Sequence, residues 1–322
     1  MNFTPVDNSG RVEGFCLVRN VECKTGKNGD YLDLTLCDRT GEINGKLWRY
    51  SIFEHGEYSA NDIVKIRGVI RPFNNVDQLN IERIRLACDS DNVKIDDFVK
   101  AAGYTGEQMF NELISIASDF KDEDLKNIVI AILNDHRMPM LYWPAAFKLH
   151  HAMRGGLLMH TLSVVRLAQA VSTVYPFIDR ELLIAGAMLH DISKLEEFVV
   201  GETGVADGYS VEGNLIGHLA MGAIKISEYA KRLGTNTNTA MLLEHMVLSH
   251  HGEPEYGAAV RPMFIEAELL SELDLMDSRM FEMHEAVNNA KPDDFTQRIW
   301  ALDNRKLYRH TRADLENEPK LF

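Results

Sequence analysis

From Arg11 to about Ala87 apolar residues recur at every second position, in short runs separated by Gly, Asn and Asp. In Tyr31–Leu36 the leucines Leu32, Leu34 and Leu36 share one face; Ile43-Asn-Gly-Lys-Leu47 repeats the alternation. Asp62 to Phe73 sets Val64, Ile66 and Ile70 on one side and Lys65, Arg67, Arg71 and Phe73 on the other. A period of two predicts half-buried strands, and Asn28-Gly29-Asp30 and Arg39-Thr40-Gly41 supply the turns between them. About five such strands are most simply closed into a small barrel, because closure removes exposed edges.

The spacing changes after Asp91. Met109, Leu113 and Ile116, then Leu125, Ile128 and Ile132, follow helical intervals, and residues 91–138 read as a helical connector. Beyond Pro139 the chain is a succession of amphipathic helices broken by Gly or Pro: Leu162–Val174, Glu181–Leu189, Leu215–Leu233, Thr239–His251 and Phe264–Ala286. The expected organisation is therefore a β-barrel over residues 1–90, the connector, and an all-α domain over 139–322 that includes a C-terminal tail.

Composition narrows the setting. A chain of 322 residues accommodates two ordinary domains. No apolar run reaches about 18 residues, and the first residues lack the basic-then-apolar order of a signal peptide, so a cytoplasmic protein without a membrane partner is expected. Cys16, Cys23, Cys37 and Cys88 form no C-x-x-C pair and are expected as buried or half-buried thiols. The net charge of −14 argues at first against a polyanionic partner. Residues 11–90, however, carry twelve basic and twelve acidic side chains, so the excess of acid lies almost wholly in the second part, where bound metal would neutralise or use several of the acids.

That second part holds His160, His190-Asp191, His218, His250-His251 and Asp274. Imidazoles and carboxylates suit divalent ions such as Mn²⁺, Fe²⁺, Co²⁺ or Zn²⁺, and the order of the seven is that of a two-metal phosphohydrolase. Helical periodicity points several of them inward. Leu243, Val247 and His250 fall at i, i+4 and i+7, Leu182 to Leu189 lead one apolar stripe up to His190-Asp191, and Leu270 and Leu273 lead into Asp274. Asp277, one turn on, competes with Asp274 for the last ligand position. His150-His151, just before Arg154, could line a substrate path or stand in a supporting or solvent-facing role. His55, His136, His245, His284 and His310 have no partner pattern and read as structural or exposed.

His160, His190-Asp191-Ile-Ser-Lys194, His218, His250-His251 and Asp274 together resemble the HD-domain superfamily of metal-dependent phosphohydrolases in its two-metal form, over roughly residues 141–290. The resemblance implies that His160, His190, Asp191 and Asp274 hold one ion and His218, His250 and His251 the other, with Asp191 bridging. It favours Asp274 over Asp277. It also implies that Asp191 and Lys194 serve catalysis, Lys194 by binding a phosphate oxygen or steadying the attacking water.

The segment Asn28 to Trp48 is similar to the OB part of the YhaM-type 3′–5′ exoribonucleases, Pro144-Ala-Ala and His150 to Thr161 to that family's entry into the HD domain, and Phe295 to Arg305 to its C-terminal segment. The resemblance implies an OB-like barrel followed by an HD helical bundle. It further implies removal of nucleoside 5′-monophosphates from the 3′ end of single-stranded RNA, and of DNA as a second substrate, by two-metal activation of water. Mn²⁺ is favoured, with Fe²⁺, Co²⁺, Zn²⁺ or Ni²⁺ as substitutes, and a homo-oligomer could complete a strand channel. OB barrels bind single strands through aromatics and basic side chains, so Tyr31, Lys46, Trp48, Lys65, Arg67, Arg71 and Phe73 are the candidate contacts. Each aromatic could equally cap the barrel. Two rivals stand: a nucleotide or cyclic-dinucleotide phosphohydrolase, and a single-strand-binding regulator with a vestigial metal site.

Overall fold

The computed structural model describes residues 10–312, apart from 28, 39–40, 74–75, 94–97, 99–103, 148–152 and 202–203, together with residue 315. The chain divides near residue 101 into two compact units.

In the first unit β1 (Arg11–Gly26), β2 (Gly29–Asp38), β3 (Gly41–Trp48), β4 (Ile63–Phe73) and β5 (Val76–Leu86) close into a barrel in the order β1-β2-β3-β5-β4, with a short α1 (Ile52–His55) between β3 and β4. Only β3 and β5 run parallel. Closure depends on β1, whose first half pairs with β4 and whose second half pairs with β2; a register shift between Val18 and Asn20 bends the strand from one neighbour to the other. The alternation seen in the sequence is the alternation of the wall. Leu32, Leu34, Leu36, Ile43, Leu47, Val64, Ile66 and Leu79 fill the interior, while their sequence neighbours face out. Ile70, expected inside, is only half-buried, packed against the edge of that interior. Of the four thiols Cys16 and Cys37 are buried, and burial pushes the Cys37 thiol up to about 12. Cys23 and Cys88, expected at least half-buried, are exposed: Cys23 lies near the far end of β1, and Cys88 follows the last strand.

The second unit is helical: α2 (Gly106–Ser118), α3 (Glu123–Asp135), α4 (Arg137–Met140), α5 (Gly156–Val174), α6 (Arg180–Leu189), α7 (Lys194–Glu197), α8 (Val211–Leu215), α9 (His218–Leu233), α10 (Thr237–Ser249) and α11 (Ile265–Asn288). A two-stranded ribbon, β6 (Phe198–Val200) and β7 (Ala206–Tyr209), follows α7. The stretch read as a connector supplies Met109, Phe110, Leu113, Leu125, Ile128 and Ile132 to the same core as the later helices. Its apolar stripes are buried against α5, α6 and α9. Helix α6 is buried from Leu182 to Leu189, as a helix apolar on all sides must be. α5 has the length and hydropathy of a membrane span, yet ten of its residues, His160 among them, are buried within this core. The helix expected over Leu215–Leu233 is two: Gly217, at φ 77°, breaks it, so His218 opens α9 rather than lying inside a helix.

Candidate metal centre

The seven side chains read from the sequence converge. His160 comes from the first turns of α5, His190 and Asp191 follow α6, His218 opens α9, His250 and His251 follow α10, and Asp274 lies within α11. Three sets of ligand atoms each lie within 4.8 Å of one another: His160, His190 and Asp191; His190, His250 and Asp274; and His218, His250 and His251. The packing of α9 on α10 that brings His218 to His250 needs a glycine. A Cβ on Gly222 would stand 2.7 Å from Val247 Cγ1, one turn after His218.

Asp191 sits between the histidines. Its Oδ2 lies 3.6 Å from His160 Nε2 and 3.4 Å from His190 Nε2, and its Oδ1 lies 3.5 Å from His218 Nε2 and 3.6 Å from His250 Nε2. Asp274 Oδ1 is 3.0 Å from His160 Nε2. Each imidazole is oriented by its other nitrogen. Nδ1 of His190 faces the Ala187 carbonyl at 2.9 Å, His250 faces Val247 at 2.8 Å, and His251 faces Tyr256 at 2.9 Å; His160 faces Asp277 Oδ2 at 2.8 Å and His218 faces Glu197 Oε1 at 2.9 Å. With Nδ1 donating, each ring in its neutral form presents an Nε2 lone pair to the centre.

These residues fit a cation. His160 Nε2 and His190 Nε2 are 3.2 Å apart, a contact between two ring nitrogens that a shared proton or a cation satisfies. Asp191 Oδ1, His218 Nε2 and His250 Nε2 are buried without a hydrogen-bond partner, a costly arrangement unless something positive satisfies them. The donor set, imidazole nitrogen and carboxylate oxygen, is that of borderline divalent ions.

Burial holds His218 and His250 below the ordinary histidine range, and burial with the neighbouring His250 lowers His251 to about 4, so these three are neutral and ready to ligate. His160 behaves oppositely. Burial disfavours its charge, but Asp274 and Asp277 outweigh it and push the imidazole up to about 10. Burial opposes the Asp191 carboxylate too, and Lys194 with the histidines still holds it well below the usual range. Lys194 Nζ donates to Asp191 Oδ2 at 2.7 Å, and this contact keeps the buried ammonium charged against desolvation.

Among the barrel candidates, Tyr31 and Trp48 are cross-strand partners with ring centroids 4.8 Å apart, and Lys46 lies 5.3 Å over the Tyr31 ring. Trp48 is 51% exposed and its Nε1 donates to Asn80 Oδ1 at 2.9 Å. Arg71 stands opposite Gln78, whose amide donates to Asn44, so a polar row crosses β4, β5 and β3. Three of the basic candidates have acidic partners: Lys46 Nζ lies 2.5 Å from Asp33 Oδ2, Lys65 lies near Glu13 and the Phe15 ring, and Arg67 pairs with Glu82. Phe73 is exposed at the end of β4 opposite Val76. Arg154 stacks over Tyr142 at 5.2 Å; His150, His151 and the tail from Glu316 lie outside the described residues. Sequence reasoning missed Glu197, Asn44, Gln78 and Asn80. Glu197 left one usable signal, its place one helical turn after Lys194.

A five-strand OB barrel and a helical unit with clustered histidines and aspartates define a metal-dependent phosphohydrolase of the HD class, and the HD domain family matches residues 157–279. The 3′–5′ exoribonuclease YhaM of Bacillus velezensis is 34% identical over 302 residues, covering 94% of this chain and 95% of that one. The protein of the same name from Listeria welshimeri is 36% identical over 301 residues, covering 93% and 95%. The chain belongs to the YhaM family. Among solved structures, a replication protein A heterotrimer bound to single-stranded DNA gives a TM-score of 0.22 at 20% identity, covering 26% of this chain and 62% of that one.

Proposed function

We propose that this protein is a divalent-metal-dependent exonuclease that removes nucleotides from the 3′ end of single-stranded RNA. The observation that carries this reading is Asp191, whose two oxygens face two separate groups of histidines. His160, His190, Asp191 and Asp274 would hold one ion and His218, His250 and His251 a second. Divalent ions there would supply Lewis acidity toward a phosphoryl oxygen and acidify the attacking water. Mn²⁺ suits the mixed nitrogen and oxygen donors.

The chain's own residues do the rest. The Lys194 ammonium, held charged beside Asp191, is available to a phosphate oxygen of the scissile group. Burial of the ligands keeps bulk water from competing for their lone pairs. On the barrel, Tyr31 and Trp48 offer stacking surface and Arg71 offers charge along one outer face, with Lys46 held there by Asp33, an arrangement suited to an unpaired strand. The product class expected of the family is the nucleoside 5′-monophosphate. The test is a time course of 5′-labelled single-stranded RNA with Mn²⁺ added. Stepwise shortening from the 3′ end is the expected result; substrate left whole with every divalent ion sinks the reading, and a single internal cut would reassign the enzyme.

A further inference from the structure

Glu197 is a carboxylate only 7% exposed, and it is not among the seven side chains that converge at the centre. Its Oε1 takes two hydrogen bonds from one residue: His218 Nδ1 at 2.9 Å and the His218 backbone N–H at 3.2 Å. That backbone N–H belongs to the first turn of α9, where helical amides lack internal partners and a negative charge is favoured. One oxygen therefore fixes both the start of the helix and the ring it carries. The opposite nitrogen of that ring, Nε2, is one of the buried atoms without a partner, 3.5 Å from Asp191 Oδ1.

The backbone beneath Glu197 is clamped. Its carbonyl accepts from Ser210 N at 2.8 Å, the Glu196 carbonyl accepts from Ser210 Oγ at 2.6 Å, and a Cβ on Gly213 would lie 2.2 Å from Glu197 O, so only glycine permits the approach. Glu196 points the other way and pairs with the buried Lys225, whose Nζ also donates to His136 Nε2 at 2.8 Å. Helix α7 is thus tied at three places: Lys194 to Asp191, Glu196 to Lys225, and Glu197 to His218.

We propose that Glu197 is a positioning residue for the ion held by His218, His250 and His251: it sets the His218 tautomer with hydrogen on Nδ1 and aims Nε2 at the space beside Asp191. This inference rests on the two-ion reading. Carboxylates behind metal-bound histidines are worth about 10- to 100-fold in metal affinity. His190 and His250 lean on backbone carbonyls for the same purpose, which no side-chain substitution can remove; His218 leans on Glu197, which can be changed.

The experiment is Mn²⁺ titrated into the metal-stripped full-length chain, with free Mn²⁺ followed by its EPR signal, for the parent, Glu197→Ala, Glu197→Gln and Glu197→Asp. The parent should bind two equivalents. Glu197→Ala should keep one and weaken the other by about 10- to 100-fold, and Glu197→Gln, whose amide oxygen still accepts, should recover most of that loss. Glu197→Asp keeps the charge but withdraws the oxygen by one methylene. It should behave like Glu197→Ala and serves as the deciding variant if the alanine form fails to fold. Two equivalents bound as tightly in Glu197→Asp as in the parent overturn the proposal, and so does an equal loss at both equivalents. A parent chain that binds no Mn²⁺ instead defeats the two-ion reading itself.

Discussion

Asp277 Oδ2 lies 2.8 Å from His160 Nδ1, on the side of the ring away from the centre, while Asp274 Oδ1 lies 3.0 Å from Nε2 on the inner side. The two aspartates, one helical turn apart, thus have different duties. Asp274→Ala should abolish high-affinity metal binding and turnover. Asp277→Ala should weaken both by about 10- to 100-fold and leave measurable activity. Calorimetric Mn²⁺ binding beside nuclease rates decides it, and a greater loss from Asp277→Ala than from Asp274→Ala contradicts the assignment.

Lys194 and Asp191 form a buried pair. Lys194→Met leaves the carboxylate without its counter-charge, a defect of about 3–5 kcal/mol for a buried pair broken on one side. The metal-free variant should melt below the parent, and Mn²⁺ should raise its Tm by more than it raises the parent's, because the ion replaces the lost charge. Equal Mn²⁺ responses in thermal scans would show that ion and ammonium do not share Asp191.

The close approach at Gly222 predicts that Gly222→Ala costs roughly 1–3 kcal/mol, since branched Val247 cannot swing aside as an unbranched chain would. Val247→Ala opens the space. In urea unfolding the double variant should therefore be more stable than the sum of the two single losses allows. Strict additivity would mean the two residues do not meet.

Burial opposes the Glu196 charge, but His136 and Lys225 lower the group from an ordinary 4.5 to about 2. A depressed carboxylate stabilises the folded state fully above its ordinary value, and the contribution fades as pH falls from 4.5 through 2. The stability gap between the parent and Glu196→Gln should be constant near neutrality and close across that window. Urea midpoints measured at a series of pH values check it; a gap that widens on acidification would contradict a depressed Glu196 carboxylate.

Trp48 presents an exposed ring against Tyr31 on the barrel. Stacking a base on an aromatic is worth about 1–3 kcal/mol, so Trp48→Ala should weaken single-stranded RNA binding by roughly 5- to 100-fold. Hydrolysis of bis-p-nitrophenyl phosphate, which has no base to stack, should be unchanged. Fluorescence anisotropy with metal-free protein measures the first, and unaltered RNA affinity would remove Trp48 from the strand's path.

Local periodicity and residue chemistry were determined by the sequence alone. Alternation in Leu32, Leu34 and Leu36 identified a barrel wall, and the seven histidines and aspartates were legible because side chains that could hold a divalent ion must be of those types. Their order along the chain carried the rest of the resemblance. Tertiary structure alone decided which nitrogen each imidazole turns inward and what stands behind it. His160 meets Asp277 across 117 residues, Lys225 meets His136 across 89, and Glu197 meets His218 across 21 through a break at Gly217. Such pairings depend on the rotation and closeness of helices packed on one another, set by contacts such as Gly222 against Val247, and no interval within one helix encodes them.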